Sequence, residues 1–411
     1  MEFKKSPRST VGIEWELQLI DVDSYDLRQA GAAVMDAVEA LPEDTSMIHR
    51  EMLLNTVEIV SQPRRRVADA CADLEHSLEI LEKVIGPLRI TLASSGTHPF
   101  ANPIYQRVTD SERYAELVKR TQYWGRQMLI YGTHVHVGID DPEKALPILS
   151  ALLTRFAHIQ ALAAASPFWS GSLTGYADNR AMVFQQLPTA GTPLQFSRWE
   201  EIEEYEAGMK KTGIIENFDE IRWDIRPSPK FGTLELRMCD AATNVREIGM
   251  IAALCQCLVE YFSQQLDAGK PLPKIPDWFV SENKWRASRY GMEAILILDD
   301  AGNEEPVTDT LRRMVTTLAP IAAELGCEEE LNAVSEVLEV GAPYQRMLSI
   351  SAQTHRYREA IVRFMIAEME AGHPLDPHDF VASERSALEL VEPQKYETPN
   401  SGTPRPATPA D

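Results

Sequence analysis

Three short segments place ionisable side chains two residues apart with an apolar residue between them: Glu14-Trp15-Glu16, His134-Val135-His136 and Glu235-Leu236-Arg237. On a β-strand, residues i and i+2 share a face and residue i+1 points the other way. Each segment lies in an alternating or apolar stretch (Thr10–Ile20, Leu129–Ile139 and Gly232–Met238). Each therefore reads as an interior strand with one packed face and one charged face. A chain with three such strands is constrained to a half-buried sheet whose open face carries carboxylates, imidazoles and a guanidinium.

A fourth set, Glu51 and Glu58, is harder to place. The segment Glu51–Val60 is apolar apart from these two residues and fits a strand or a helix by pattern alone. Seven residues apart, they share one face of a helix but lie on opposite faces of an ideal strand. A bulge or bend at Asn55 would bring them together on a strand.

Elsewhere, apolar spacing predicts helices near 29–40, over 66–88 and 111–128, and over 143–165, with a buried strand at Thr91–His98. Residues 166–240 are rich in Gly, Pro and aromatics, a composition suited to binding loops on a scaffold. Residues 242–390 are mainly helical by periodicity. The domain expectation is one catalytic domain over 1–391 followed by a disordered Pro-rich tail, 392–411.

Net charge is −22, which argues against broad binding to nucleic acid or anionic membrane. No apolar run approaches the ~20 residues needed to span a bilayer, and the N-terminus lacks the apolar stretch of a signal peptide. The five cysteines contain no C-x-x-C pair and are read as buried, reduced thiols. A cytoplasmic location follows as the expectation.

The charged strand face carries a chemical demand. Two carboxylates ~4 Å apart repel by roughly 4 kcal/mol at an effective dielectric of 20. Several converging on one cavity must be protonated, paired or bound to metal. By pattern only Arg237 is an adjacent base, so divalent metal is the economical answer. Oxygen-rich donors suit Mg²⁺, and an imidazole makes Mn²⁺ admissible. Carboxylate-held Mg²⁺ commonly completes its shell with phosphate oxygens, which points to ATP and phosphoryl transfer. The chain has no Gly-rich β-α fingerprint and no G-x-x-x-x-G-K-[ST] loop.

The ordered set of segments resembles the carboxylate–amine ligases of the glutamate–cysteine ligase type 2 family. The matching segments are Val11–Leu17, Glu51 to Glu58, Gly132–Gly138, Ala177–Arg180, Thr233–Arg237 with Asp240, and Asn283–Ala287. The resemblance implies an α+β, glutamine-synthetase-like catalytic fold: a curved, mostly antiparallel sheet with metals and ATP on its concave face and helices outside. It implies that Glu14, Glu51, His136 and Glu235 surround one metal, while Glu16 and Glu58, with Glu51 shared, hold a second. It places Arg237 at the γ-phosphate and Arg180 at the substrate carboxylate or the phosphate. His134, Trp285 and Arg286 are near-site candidates, the last two toward ATP.

The implied reaction phosphorylates a carboxylate, such as the γ-carboxylate of glutamate, and passes the acyl group to an amine such as cysteine. A homodimer or larger assembly is also implied. Two other readings compete: a metal hydrolase built on His134 and His136 that needs no ATP, and a nucleotide or metabolite sensor without turnover.

Overall fold

The computed structural model describes residues 1–355 and 357–391. The segment 392–411, expected to be disordered, lies outside the described residues. The fold is α+β, and its spine is β1 (Val11–Asp21). Along β1, Val11, Ile13, Trp15, Leu17 and Leu19 are essentially inaccessible, whereas Gly12, Glu14 and Glu16 on the other face are only partly covered. Trp15 anchors the packed face, its indole N–H donating to Ser94 Oγ at 2.9 Å and the Ala242 carbonyl at 3.0 Å.

After α1 (Gly31–Glu39) come β2 (Ile48–Arg50) and β3 (Thr56–Val60). The ambiguous segment is thus resolved as a turn over 51–55 leading into a strand. The β-branched run Thr56-Val57-Glu58-Ile59-Val60 favours the pleated conformation. Asn55 is fully buried at the bend and holds it. Its amide donates to Gln106 Oε1 at 2.7 Å, and its Oδ1 accepts from the Tyr131 hydroxyl at 2.9 Å.

α2 (Val67–Ile85), β4 (Ile90–Ala93), α3 (Glu112–Thr121) and β5 (Gly132–Gly138) follow. α3 is shorter than the expected 111–128, its end followed by a separate 3₁₀ turn at Gly125–Gln127. The helix expected over 143–165 is broken into α4 (Ala145–Leu152) and α5 (Phe156–Ala163), bent by 62°. At the break, Thr154 Oγ1 donates back to the Ala151 carbonyl at 2.7 Å, and Arg155 adopts φ −129°. A threonine hydroxyl competing for a helix carbonyl is a standard cause of such bends.

Residues 166–240 hold the ribbon β6 (Phe168–Trp169) and β7 (Ser172–Leu173), then α6 (Asn179–Phe184), α7 (Trp199–Lys211), β8 (Ile225–Ser228) and β9 (Thr233–Asp240). Several of their aromatics build a second small core, where Phe218 and Trp223 pack with Ile202, Phe196, Trp199 and Tyr205.

The rest is helical as expected: α8 (Val245–Asp267), α9 (Asp277–Tyr290), the ribbon β10 (Ile295–Ile297) and β11 (Glu304–Pro306), α10 (Val307–Leu325), α11 (Glu328–Val340), α12 (Pro343–Gln353), α13 (Arg358–Ala371) and α14 (Pro377–Val391). α8 is apolar on nearly every side because it packs against β1 and β5 as well as α2, α4, α10 and α11. Among the described residues no single helix is long and apolar enough to cross a membrane.

The main sheet has seven strands in the order β2-β3-β1-β5-β9-β8, with β4 also paired to β1, and every pairing is antiparallel. Its register sets the site. Glu16 lies opposite Glu58, Glu14 opposite His134, His136 opposite Glu235, and Glu235 opposite Arg226. Directly opposed residues share a face, so one sheet face collects all of them.

Candidate active site

Two carboxylate groupings form on this face. In the first, Glu14, His136 and Glu235 bring one donor atom each within 4.8 Å of the others. His134 Nδ1 donates to Glu14 Oε2 at 2.8 Å, and His136 Nε2 donates to Glu14 Oε1 at 3.1 Å. His136 Nδ1 lies 2.9 Å from Thr233 Oγ1. Glu235 is only 1 % exposed and sits between two guanidiniums. Arg226 donates to its Oε2 from Nε (2.9 Å) and Nη2 (2.6 Å), while Arg237 donates to its Oε1.

The second grouping is Glu16, Glu51 and Glu58, again with donor atoms within 4.8 Å of one another. Glu16 Oε2 accepts the Gly132 N–H at 2.5 Å, and Glu51 Oε2 accepts the Met52 N–H at 2.6 Å. Glu58 makes no hydrogen bond among the described residues, although it also lies within reach of Glu14 and His134.

The electrostatics of the two groupings are opposite. Burial works to raise Glu14, yet the hydrogen bonds from His134 and His136 hold it well below the usual range. Burial likewise opposes ionisation of Glu235, but Arg237 and Arg226 bring it down to about 2. In the second grouping, burial and then the Glu51 charge push Glu16 up to about 8. Glu58 rises well above its normal value through burial and the charges of Glu51, Glu14 and Glu16. His134 falls to about 4, through burial and then Arg237. His136 rises despite burial, because Glu14 and Glu235 face it.

Arg180 enters from the start of α6, whose N-cap Asp178 accepts the Ala181 N–H at 2.8 Å. Its guanidinium donates to the Arg237 carbonyl at 3.3 Å, and its Nε has no hydrogen-bond partner among the described residues. Gly132 is what admits it. A Cβ there would sit 2.2 Å from Arg180 Nη2 and 3.0 Å from His134 Nε2. Behind it, Asp240 Oδ2 accepts from Ala165 N and Ser166 Oγ, both at 2.7 Å, and Ser166 Oγ accepts the Arg180 N–H at 3.1 Å.

Two expectations need correction. Glu51 was expected to bridge both groupings, but its donor atoms gather with Glu16 and Glu58, and Glu14, His136 and Glu235 gather without it. The reason is the turn at 51–55, which returns Glu51 toward its own strand β3. Arg286 was expected toward ATP, yet its guanidinium donates to Glu282, Glu304 and the Ile295 carbonyl, none of which belongs to the cluster. Its neighbour Trp285 is 40 % exposed and meets Tyr290 edge to face. The charged residue of that segment that is buried is Lys284, paired with buried Asp224 at 2.7 Å.

Arg226 escaped the sequence reading altogether. It lies on a four-residue strand ending in Pro227-Ser228, inside a region whose composition suggested loops. Its one signal was its place beside Ile225 on a short strand preceding Thr233–Arg237.

Both groupings fit divalent cations. The second is an all-oxygen donor set with a charge surplus and an idle carboxylate at Glu58, which suits Mg²⁺. The first adds one imidazole to two carboxylates, which admits Mn²⁺ as well.

The chain is similar to known proteins along most of its length. The profile of the glutamate-cysteine ligase family 2 (GCS2) matches residues 10–365. A protein of Mycobacterium ulcerans named "Putative glutamate--cysteine ligase 2" is 49% identical over 370 residues, covering 90% of this chain and 93% of that protein. A similarly named protein of Paenarthrobacter aurescens is 50% identical over 378 residues, covering 90% and 99%. Among solved structures, the Francisella tularensis glutamate–cysteine ligase in complex with AMP shares the fold at TM-score 0.61 and 13% identity, covering 96% of this chain and 97% of that one. A bifunctional glutathione synthetase from Pasteurella multocida also gives TM-score 0.61, at 15% identity, over 88% of this chain and 52% of that one. The chain belongs to glutamate-cysteine ligase family 2.

Proposed function

We propose that this protein uses ATP to activate the γ-carboxylate of glutamate, or a close analogue, and transfers the acyl group to a small amine such as cysteine. Family membership makes it an ATP-dependent carbon–nitrogen ligase. The observation that supports the finer reading is a convergence on one sheet face: Glu16, Glu51 and Glu58 bring donor atoms within 4.8 Å of one another, beside a Glu235 clamped by two arginines.

In this reading Glu16, Glu51 and Glu58 hold one Mg²⁺, and Glu14, His136 and Glu235 hold a second Mg²⁺ or Mn²⁺. Bound there, the cations neutralise phosphate charge and the acyl phosphate leaving group. Arg226 keeps Glu235 ionised and fixed. Arg237, whose Nε is buried without a hydrogen-bond partner among the described residues, directs donors at the transferring phosphoryl group. Arg180 binds the substrate carboxylate through the donors Gly132 leaves accessible. His134, lowered by burial, stays neutral at pH 7 and orients Glu14. The carboxylate oxygen attacks the γ-phosphorus and ADP departs; the amine nitrogen then attacks the acyl carbon and phosphate departs.

A homodimeric or larger assembly and a cytoplasmic location belong to the same proposal. The hydrolase alternative loses ground, because no metal-capable grouping among the described residues contains two histidines. The test is ADP and phosphate release with Mg²⁺, ATP, glutamate and a panel of amino acids and small amines, with the product identified by mass spectrometry. Turnover with at least one amine is expected, and silence across the panel overturns the proposal.

A further inference from the structure

Away from the charged sheet face, α8, α10 and the loop at Pro271–Pro273 enclose a cavity of about 290 Å³. None of its lining residues belongs to the acidic groupings. Its lining is mixed, with Leu258, Phe262, Met314 and Leu318 supplying an apolar part beside polar residues. Two arginines also line it, and they are not equivalent. Arg313 is neutralised: its Nη1 donates to Glu305 Oε1 at 2.6 Å, and its Nη2 to the other oxygen of the same carboxylate.

Arg155 is different. It stands at the break between α4 and α5, half-buried, and its one hydrogen bond runs from Nη1 to the Thr154 carbonyl at 2.8 Å. Among the described residues no carboxylate lies within ion-pair distance of it. Burial and then the neighbouring Arg313 charge depress its affinity for its proton, against a smaller pull from Glu305, whose carboxylate Arg313 already occupies. A guanidinium withdrawn from water without a counter-charge is costly, and its planar fork matches one carboxylate in bidentate fashion.

We infer that this cavity is a second small-molecule site, which binds a monocarboxylate with an apolar body, the carboxylate on Arg155 and the body between α8 and α10. The volume lies near the lower end of small-ligand pockets and excludes a nucleotide. The apolar part of the lining disfavours highly hydroxylated acids. The site does not depend on the ligase chemistry proposed above, and it is tested by binding alone.

The full-length chain is titrated by calorimetry and ligand-observed NMR with butyrate, hexanoate and 3-phenylpropionate, and with the neutral amide of each. Saturable binding of at least one acid is expected, with its amide weaker by about tenfold or more. Arg155→Met lowers the acid to the level of its amide, and Arg155→Lys recovers part of the difference. Glu58→Gln leaves the acid's affinity unchanged, and saturating Mg²⁺-ATP does not displace it. Failure of all three acids to bind overturns the inference. So does equal binding of acid and amide, or undiminished binding to folded Arg155→Met.

Discussion

Arg346 and Glu58 are both charged side chains drawn out of bulk water, and their surroundings could hardly differ more. Arg346, on α12, is fully buried where α8, α12 and α13 meet. Its Nε and Nη2 donate to Glu368 at 2.7 and 2.8 Å, its Nη1 and Nη2 to Glu247 at 2.9 and 3.0 Å, and its Nη1 to the Gly341 carbonyl at 2.6 Å. Thr243 and Asn244 donate to Glu247, and the Leu375 N–H donates to Glu368. Burial still lifts Glu368 above its ordinary range, against the pull of Arg346, but its oxygens all have donors. The Glu58 carboxylate has no hydrogen bond among the described residues, and three carboxylates raise its proton affinity. A saturated knot ties helices together. An unsaturated one beside a row of arginines is where the proposed cations and phosphate would sit.

The largest effect expected from breaking the closed knot is on stability. Arg346→Met leaves two buried carboxylates without their cation and should cost about 3–5 kcal/mol by urea unfolding. Turnover per folded molecule should hardly change; a cost below about 1 kcal/mol would erase the distinction drawn here. In the open cluster the balance reverses. Glu14→Gln should lower ADP release by at least about a hundredfold, with little change in melting temperature.

Cation binding gives a third measure. Mg²⁺ at about a hundred times its Kd should stabilise the protein by about 2.7 kcal/mol, and Glu58→Gln should abolish most of that gain. The pH dependence in EDTA comes next. Glu16 rises from 4.5 to about 8, so the folded state binds its proton more tightly than the unfolded state does. Stability from this group is therefore lost as pH climbs from about 4.5 to about 8, and Glu58 acts in the same sense. Buried His98, His134 and His158, lowered to about 4, about 4 and about 3, gain stability up to pH 6.5 and oppose this. Melting temperature in EDTA should therefore fall mainly above about pH 6.5, and Glu16→Gln should flatten the fall. Glu14 and Glu235 act in the opposite sense, but only below pH 4.5. The smallest effect is that of Arg286→Ala, which removes exposed pairs to Glu282 and Glu304 and should cost less than about 1 kcal/mol with near-normal turnover.

Much of the open cluster was legible before any coordinates. Period-two spacing alone put Glu14 with Glu16, His134 with His136 and Glu235 with Arg237 on one face, because side chains on a pleated strand have no other choice. The pairing of Glu51 with Glu58 was legible only as a conditional, since it depends on a turn held by Asn55 hydrogen bonds to distant Gln106 and Tyr131. Arg226 was invisible for the same reason: its meeting with Glu235 is set by register between β8 and β9, not by spacing within either. The closed knot left no sequence pattern, since Arg346, Glu247 and Glu368 come from three helices. The break at Leu153–Arg155 was hidden by an apolar periodicity that continues across it.

Strand order also dictates a timetable. β1 finds β5 across 120 positions, measured from Glu14 to His134, and β5 then waits for β9. Closing such long loops costs entropy before any pairing repays it, so this sheet should be slow to assemble. The hairpin of β8 and β9 carries Arg226 and Arg237, and it is the last of the main sheet to leave the ribosome. Until it docks, the acidic strands have no guanidiniums beside them, and their carboxylates keep their water. Docking of that hairpin should therefore complete the main sheet and bring both arginines, with Glu235, to the acidic strands in one step.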